Sequence, residues 1–126
     1  MPRKSFTSDE FPASGLPLSP AVLGAGDAVY LSGQVGQDPA TGRLVEGGVA
    51  AQTEQALRNL EAVLAAAGKT LDDVVRVGVY LTNMGDFAGM NEVYARWFAA
   101  PYPARTTIGV AALPLGATVE IDLVAR

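Results

Sequence analysis

The chain contains no histidine and no cysteine. A His-activated serine, a thiolate nucleophile and the common zinc ligands are therefore excluded. Its chemistry must come from guanidinium, carboxylate, amide and hydroxyl groups. Three such residues stand out because each is polar where its surroundings are apolar. Arg105 is the one charge in residues 103–110, a stretch that otherwise reads as buried strand. A guanidinium there is poorly solvated, stays charged and can fork onto a carboxylate with two parallel hydrogen bonds. Its other use is a structural ion pair at a strand end. Asn91 follows Phe87 by four residues and precedes Tyr94 by three, which puts it on the apolar face of a helix. A buried amide must find partners, either by tying helix to sheet or by meeting a ligand. Glu120 alternates with Val119 and Ile121 and shares a strand face with Thr118 and Asp122. That face is either solvated or set against Arg105.

Other chemistries find less support. Lys4 lies in a polar arm and Lys69 follows a glycine, so neither has the apolar setting of a Schiff-base lysine. The acidic residues lack the spacing of a cation-binding loop, and no metal site is expected. Gly24 and Gly26 begin a dinucleotide-like pattern, but no third glycine and no helix follow. A turn explains them better.

The elements that must position these residues can be read from periodicity. Residues 1–20, rich in Pro, Ser and Gly, form an extended arm. Short apolar runs at 21–23 and 28–31 flank Gly24-Ala25-Gly26-Asp27, a hairpin signal, and the second run continues through Gly33 to Gly36. Glycine inside a strand marks a bulge or a close backbone approach. After Gly47-Gly48, the apolar positions Thr53, Ala56, Leu57, Leu60, Val63, Leu64 and Ala67 follow helical spacing up to a stop at Gly68. Residues 74–81 are a β-branched strand. Asp86 can cap a second helix whose buried stripe is Phe87, Met90, Tyr94, Trp97 and Phe98. Strands at 105–111 and 118–125 flank the turn 113–116, and could pair antiparallel to bring Arg105 and Glu120 together. The expected fold is an α+β sandwich of one domain, residues 1–126, with both helices on one face of a mixed sheet.

Of 126 residues, 49% are apolar and 17% charged, against about 25% charged in an average domain. Part of the surface should be covered by further copies of the chain. A net charge of −4 with scattered basic residues disfavours nucleic acid. The polar N-terminus lacks a signal-peptide core, and no apolar run reaches membrane-spanning length. No membrane partner is expected, and cytoplasm is the default location.

The order of these pieces resembles the RidA family, also called YjgF or L-PSP, from about Pro17 to Arg126. The resemblance rests on Val29-Tyr30-Leu31-Ser32-Gly33-Gln34, Val77-Gly78-Val79-Tyr80-Leu81-Thr82, Asp86-Phe87-Ala88-Gly89-Met90-Asn91, Leu113-Pro114, Val119-Glu120-Ile121 and above all Tyr102-Pro103-Ala104-Arg105. It implies a chorismate-mutase-like (YjgF-type) α+β protomer and a homotrimer. Three sheets would line a central barrel-like core, with active sites in clefts between subunits. It implies cofactor-free hydrolysis of enamines and imines of amino acids, such as 2-aminoacrylate, 2-iminopropanoate and 2-iminobutanoate, to 2-oxo acids and ammonia. Arg105 would hold the substrate carboxylate. Gly33 would offer its backbone N–H, Asn91 would line the cleft, and Glu120 would orient or activate water. Two positions depart from the family. Leu18 stands where an aromatic hydroxyl is common, and Thr107 stands where a Cys is often found. The backbone carbonyl at Thr107 could still help hold water. The other functions to be weighed are a small-carboxylate or keto-acid binding module and an endoribonuclease or translation inhibitor.

Overall fold

Strand alternation and strand order together decide which residues of this chain can share a site. The computed structural model describes residues 2–126, so Met1 of the expected arm lies outside it. In chain order the elements are β1 (Ser5–Phe6), β2 (Ala21–Leu23), β3 (Val29–Val35), α1 (Gly48–Ala66), β4 (Val74–Leu81), α2 (Phe87–Trp97), β5 (Ala104–Gly109) and β6 (Val119–Ala125). Single 3-10 turns lie at Leu71–Asp73, Met84–Asp86 and Pro114–Gly116. The six strands form one sheet in the order β1-β2-β3-β6-β4-β5. β4 and β5 are parallel, and every other pair is antiparallel.

Both helices pack on one face of this mixed sheet, as expected. α1 presents Ala56, Leu57, Leu60, Val63 and Leu64, all essentially inaccessible, to Val77, Val79, Leu81, Ile121 and Leu123 from the sheet. These positions recur at three and four residues on the helix and at two on the strands, so sequence period alone builds the interface. Leu60→Ala would cost about 2–5 kcal/mol by leaving a cavity there. Gly68 ends α1 with φ +74°, where a Cβ would be strained. Among the described residues no helix is long and apolar enough to cross a membrane.

Five details differ from expectation, each for a local reason. β5 and β6 do not pair, because β4 lies between them. The chain leaving β4 folds α2 over the sheet and returns parallel as β5. The loop before β6 then crosses the end of β4, where Val110 N–H donates to Leu81 O at 2.9 Å and Thr82 N–H to Thr118 O at 3.2 Å. β5 is consequently an edge strand with Thr106 and Ile108 exposed, and Arg105 is half-buried rather than part of a buried strand. The stripe on α2 is Met90, Val93 and Tyr94, followed by Phe98; Val93 had not been expected, and Phe87 is exposed. Trp97 is drawn to the rim, where its indole N–H donates to Glu54 Oε2 at 2.8 Å. Asp86 makes no side-chain cap; Asn83 Oδ1 accepts from Gly85 N–H at 2.8 Å instead, since the 3-10 turn moves the start of the helical chain upstream.

The arm is also more structured than its composition implies. Ser5 and Phe6 pair with Val22 and Ala21. Nearer β3, Ser32 Oγ donates to Ser19 O at 2.6 Å and Ser32 N–H to Pro20 O at 3.0 Å.

Candidate active site

Arg105 sits opposite Val77 in the parallel register of β5 with β4, so its side chain rises on the helix-bearing face. There α2 meets it. Arg105 Nη1 donates to Asn91 Oδ1 at 2.6 Å. The guanidinium carbon lies 4.6 Å from the Tyr94 ring centroid and 5.7 Å from that of Phe87. Phe87, Asn91 and Tyr94 are spaced four and three residues apart on α2, so one helix face supplies both rings and the amide. No carboxylate of the described residues pairs with Arg105. The side chain is thus oriented, partly desolvated and short of an anion. An open cavity of about 330 Å³, lined by Asn91, Tyr94, Tyr102, Pro103 and Arg105, lies in front of it. Burial pushes the Tyr94 hydroxyl up, against an opposing pull from Arg105. The Thr107 hydroxyl is enclosed without a hydrogen-bond partner one pleat further along β5.

Glu120 occupies the opposite face. It pairs with Tyr80 on β4 and Val35 on β3. Tyr80 is three residues from Val77, the partner of Arg105, so alternation sends the two side chains to opposite sides of the sheet. The register of β3 with β6 shifts between Leu31 and Gln34, and Gly33 falls in this bulge. A Cβ on Gly33 would stand 2.5 Å from Glu120 Oε2 and 2.9 Å from its carboxyl carbon. The Glu120 carboxylate therefore lies directly against the Gly33 backbone. Burial, and then the neighbouring charge of Asp122, hold the Glu120 carboxyl above its ordinary value of 4.5. Asp122 itself accepts from Tyr80 OH at 2.9 Å. Upstream, buried Gln52 Oε1 accepts from Thr118 N–H at 2.8 Å and from its hydroxyl at 3.0 Å, which fixes the entry into β6. Leu18 joins this side, lining a cavity with Pro20, Ser32 and Gly33.

The six candidates thus divide into two groups. Arg105, Asn91 and Thr107 belong to the helix-side edge, whereas Gly33, Glu120 and Leu18 belong to the open face. One protomer does not bring the groups together. Sequence reasoning missed Tyr94 and Phe87 as the rings bracketing Arg105, because their spacing to Asn91 fits a core-facing stripe equally well. It also placed Asp122 beside Glu120 without drawing the electrostatic consequence.

A family model described as endoribonuclease L-PSP matches residues 8–126. The chain belongs to the RidA/L-PSP family. Among curated relatives, Protein DfrA of Myxococcus xanthus is 50% identical over 126 residues, covering 99% of this chain and 96% of the relative. A Bos taurus protein named 2-iminobutanoate/2-iminopropanoate deaminase is 45% identical over 123 residues, covering 98% and 89%. The crystal structure of RidA from an Antarctic Psychrobacter superposes with a TM-score of 0.90 at 44% identity, covering 98% of this chain and 99% of that one. The E. coli YjgF gene product gives 0.88 at 34% identity, covering 97% of each. The RidA family thus contains the two-helix, six-strand α+β arrangement seen here.

Proposed function

We propose that the protein hydrolyses reactive enamines and imines of amino acids, including 2-aminoacrylate, 2-iminopropanoate and 2-iminobutanoate, to 2-oxo acids and ammonia. The observation that carries this reading is the division of the site. An oriented, anion-free Arg105 stands on one face, and a proton-accepting Glu120 stands on the other. A second copy of the chain, in a homotrimer, would bring its Glu120 side to the Arg105 side of the first. The open sheet face offers exposed apolar residues for such contact, including Tyr30 and Ile108. The relatives named imine deaminases, 42–45% identical, support the reaction.

In this reading Arg105 takes the substrate carboxylate bidentately, with Asn91, Tyr94 and Phe87 holding the guanidinium in place. An enamine first tautomerises to the imine. Water adds to the C=N carbon while Glu120 accepts one of its protons and Gly33 keeps that carboxylate in position. The C–N bond of the resulting carbinolamine then breaks. Nitrogen leaves as ammonia after taking up a proton, and the hydroxyl collapses to the 2-oxo group. No redox partner or cofactor enters the balance. An iminium carbon is strongly electrophilic, so positioning supplies much of the rate gain. Ammonia release from oxidase-generated 2-iminopropanoate tests this directly. Wild type accelerates it; no acceleration by folded, assembled protein would refute the reading.

The name of the M. xanthus relative states no deaminase activity, and Leu18 departs from the family pattern. These two observations favour one second reading, a module that binds small carboxylates with little turnover. Thermal stabilisation by 2-oxo acids without ammonia release would select it. The endoribonuclease description of the family is opposed here by the net charge of −4 and the absence of histidine.

A further inference from the structure

We infer that Leu18 makes this a hydrolase selective for imines with aliphatic side chains larger than methyl, the cavity beside Gly33 receiving that side chain. The inference rests on the deaminase reading and names the substrate class within it. Leu18 is 54% exposed, yet its backbone is held. Its N–H donates to Leu16 O at 2.7 Å, closing a three-residue turn through Pro17. Immediately downstream, the two hydrogen bonds from Ser32 to Ser19 and Pro20 fasten the segment to β3. The side chain is thus presented by fixed backbone.

Leu18 borders two cavities: one of about 710 Å³ that also borders Arg3, and one of about 340 Å³ that is walled on its apolar side by Phe11, Pro12, Leu18 and Pro20 and alone reaches Gly33. Phe11 is fastened too. Its N–H donates to Ser8 Oγ at 3.1 Å, and its carbonyl accepts from Ser8 N–H at 3.0 Å. Because Gly33 lines the cavity and touches the Glu120 carboxylate, a carbon attacked by Glu120-bound water would lie at the Gly33 end of the cavity. The substituent on that carbon would point along the wall made by Leu18 and Phe11. Glu10 lines the same cavity and no lysine or arginine does. An acidic substrate side chain would therefore meet a like charge with no cation lining that cavity to offset it. Aliphatic side chains fit both features.

One added methylene in an apolar pocket is worth roughly 10–200-fold in specificity. The leucine side chain adds three carbons to that of alanine, but an open cavity leaves most of this surface in water, so a leucine-derived imine should exceed an alanine-derived imine by about tenfold in kcat/KM. The test generates both imines in place with an amino-acid oxidase and competes enzyme against semicarbazide. It compares wild type with Leu18→Asn, which keeps the branched outline and heavy-atom count but replaces methyls with an amide, and with Leu18→Met. The expected result is a wild-type preference for the leucine-derived imine. Leu18→Asn should bring the ratio toward one through KM, and Leu18→Met should retain it. A wild-type ratio near one, a ratio untouched by Leu18→Asn, or a preference for the glutamate-derived imine would overturn the inference and leave the deaminase reading intact. Conversion of neither imine by wild type would overturn that reading and the inference with it.

Discussion

The two halves of the candidate site are held by different physics. On the helix side, Arg105 is fixed by side chains: one charge-assisted hydrogen bond to Asn91 and two flanking rings. On the open face, Glu120 is fixed largely by backbone: the bulge at Gly33 and the register of β6 between β3 and β4. The first half should therefore respond to the chemical type of its neighbours. The second should respond to a single added carbon.

The largest effect is expected at the Arg105 end. Arg105→Ala should lower kcat/KM by about 10²–10³-fold, the range for removing one partner of a desolvated charge pair. Arg105→Lys should recover little, because an ammonium lacks the planar fork. Steady-state ammonia release checks both variants. Next comes Gly33→Ala. Its Cβ would clash only with the far end of the Glu120 side chain, which can swing away, so stability should change little. That far end is the carboxylate proposed to accept the proton of water, however, and a shift of about 1 Å can cost about 10² in rate. Parallel melting and rate measurements would separate the two effects. A Gly33→Ala variant that unfolded would show that backbone, and not carboxylate position, is at stake.

Asn91→Ala should cost less, about tenfold and mainly in KM. The lost hydrogen bond to a charged group is worth roughly 1.5–3 kcal/mol, but both rings would still bracket Arg105. The smallest effects are read in melting temperature and pH profile, not in rate, and they concern protons. The raised Glu120 value means that the folded protein holds this proton more tightly than the unfolded chain does. That contribution is fully present below the unfolded value and is lost as pH rises through the folded one. Glu120→Gln should accordingly raise Tm at neutral pH while lowering activity, and the gap in Tm should narrow as pH falls toward 4.5. Asp122→Asn removes the second cause of the shift. It should move the acid limb of the pH–rate profile to lower pH.

Much of the architecture was legible because it rests on period. α1 and β4 follow from spacings of three, four and two, and Gly68 marks the helix end where φ turns positive. The placement of both helices on one face follows the same logic. Strand order was not legible. Nothing local to β5 or β6 records that β4 lies between them, since that depends on where α2 carries the chain. The pairing of β5 with β6 that could have brought Arg105 and Glu120 together within one protomer is not realised for this reason. Arg105 and Asn91 were recognisable as polar residues on apolar faces. The roles of Tyr94 and Phe87 were hidden because an aromatic facing a guanidinium has the same spacing as one facing a core.

The central claim, that each site joins the Arg105 edge of one copy to the Glu120 face of another, has a direct test. Arg105→Ala and Glu120→Gln subunits would be purified, each shown to be inactive and trimeric, then unfolded together, refolded and assayed. A shared site predicts recovery, since statistical mixing leaves about a quarter of the interfaces in a cyclic trimer with both residues intact. Mixed assemblies that stayed as inactive as their parents would show that the two residues do not complement each other across an interface, and would contradict the account.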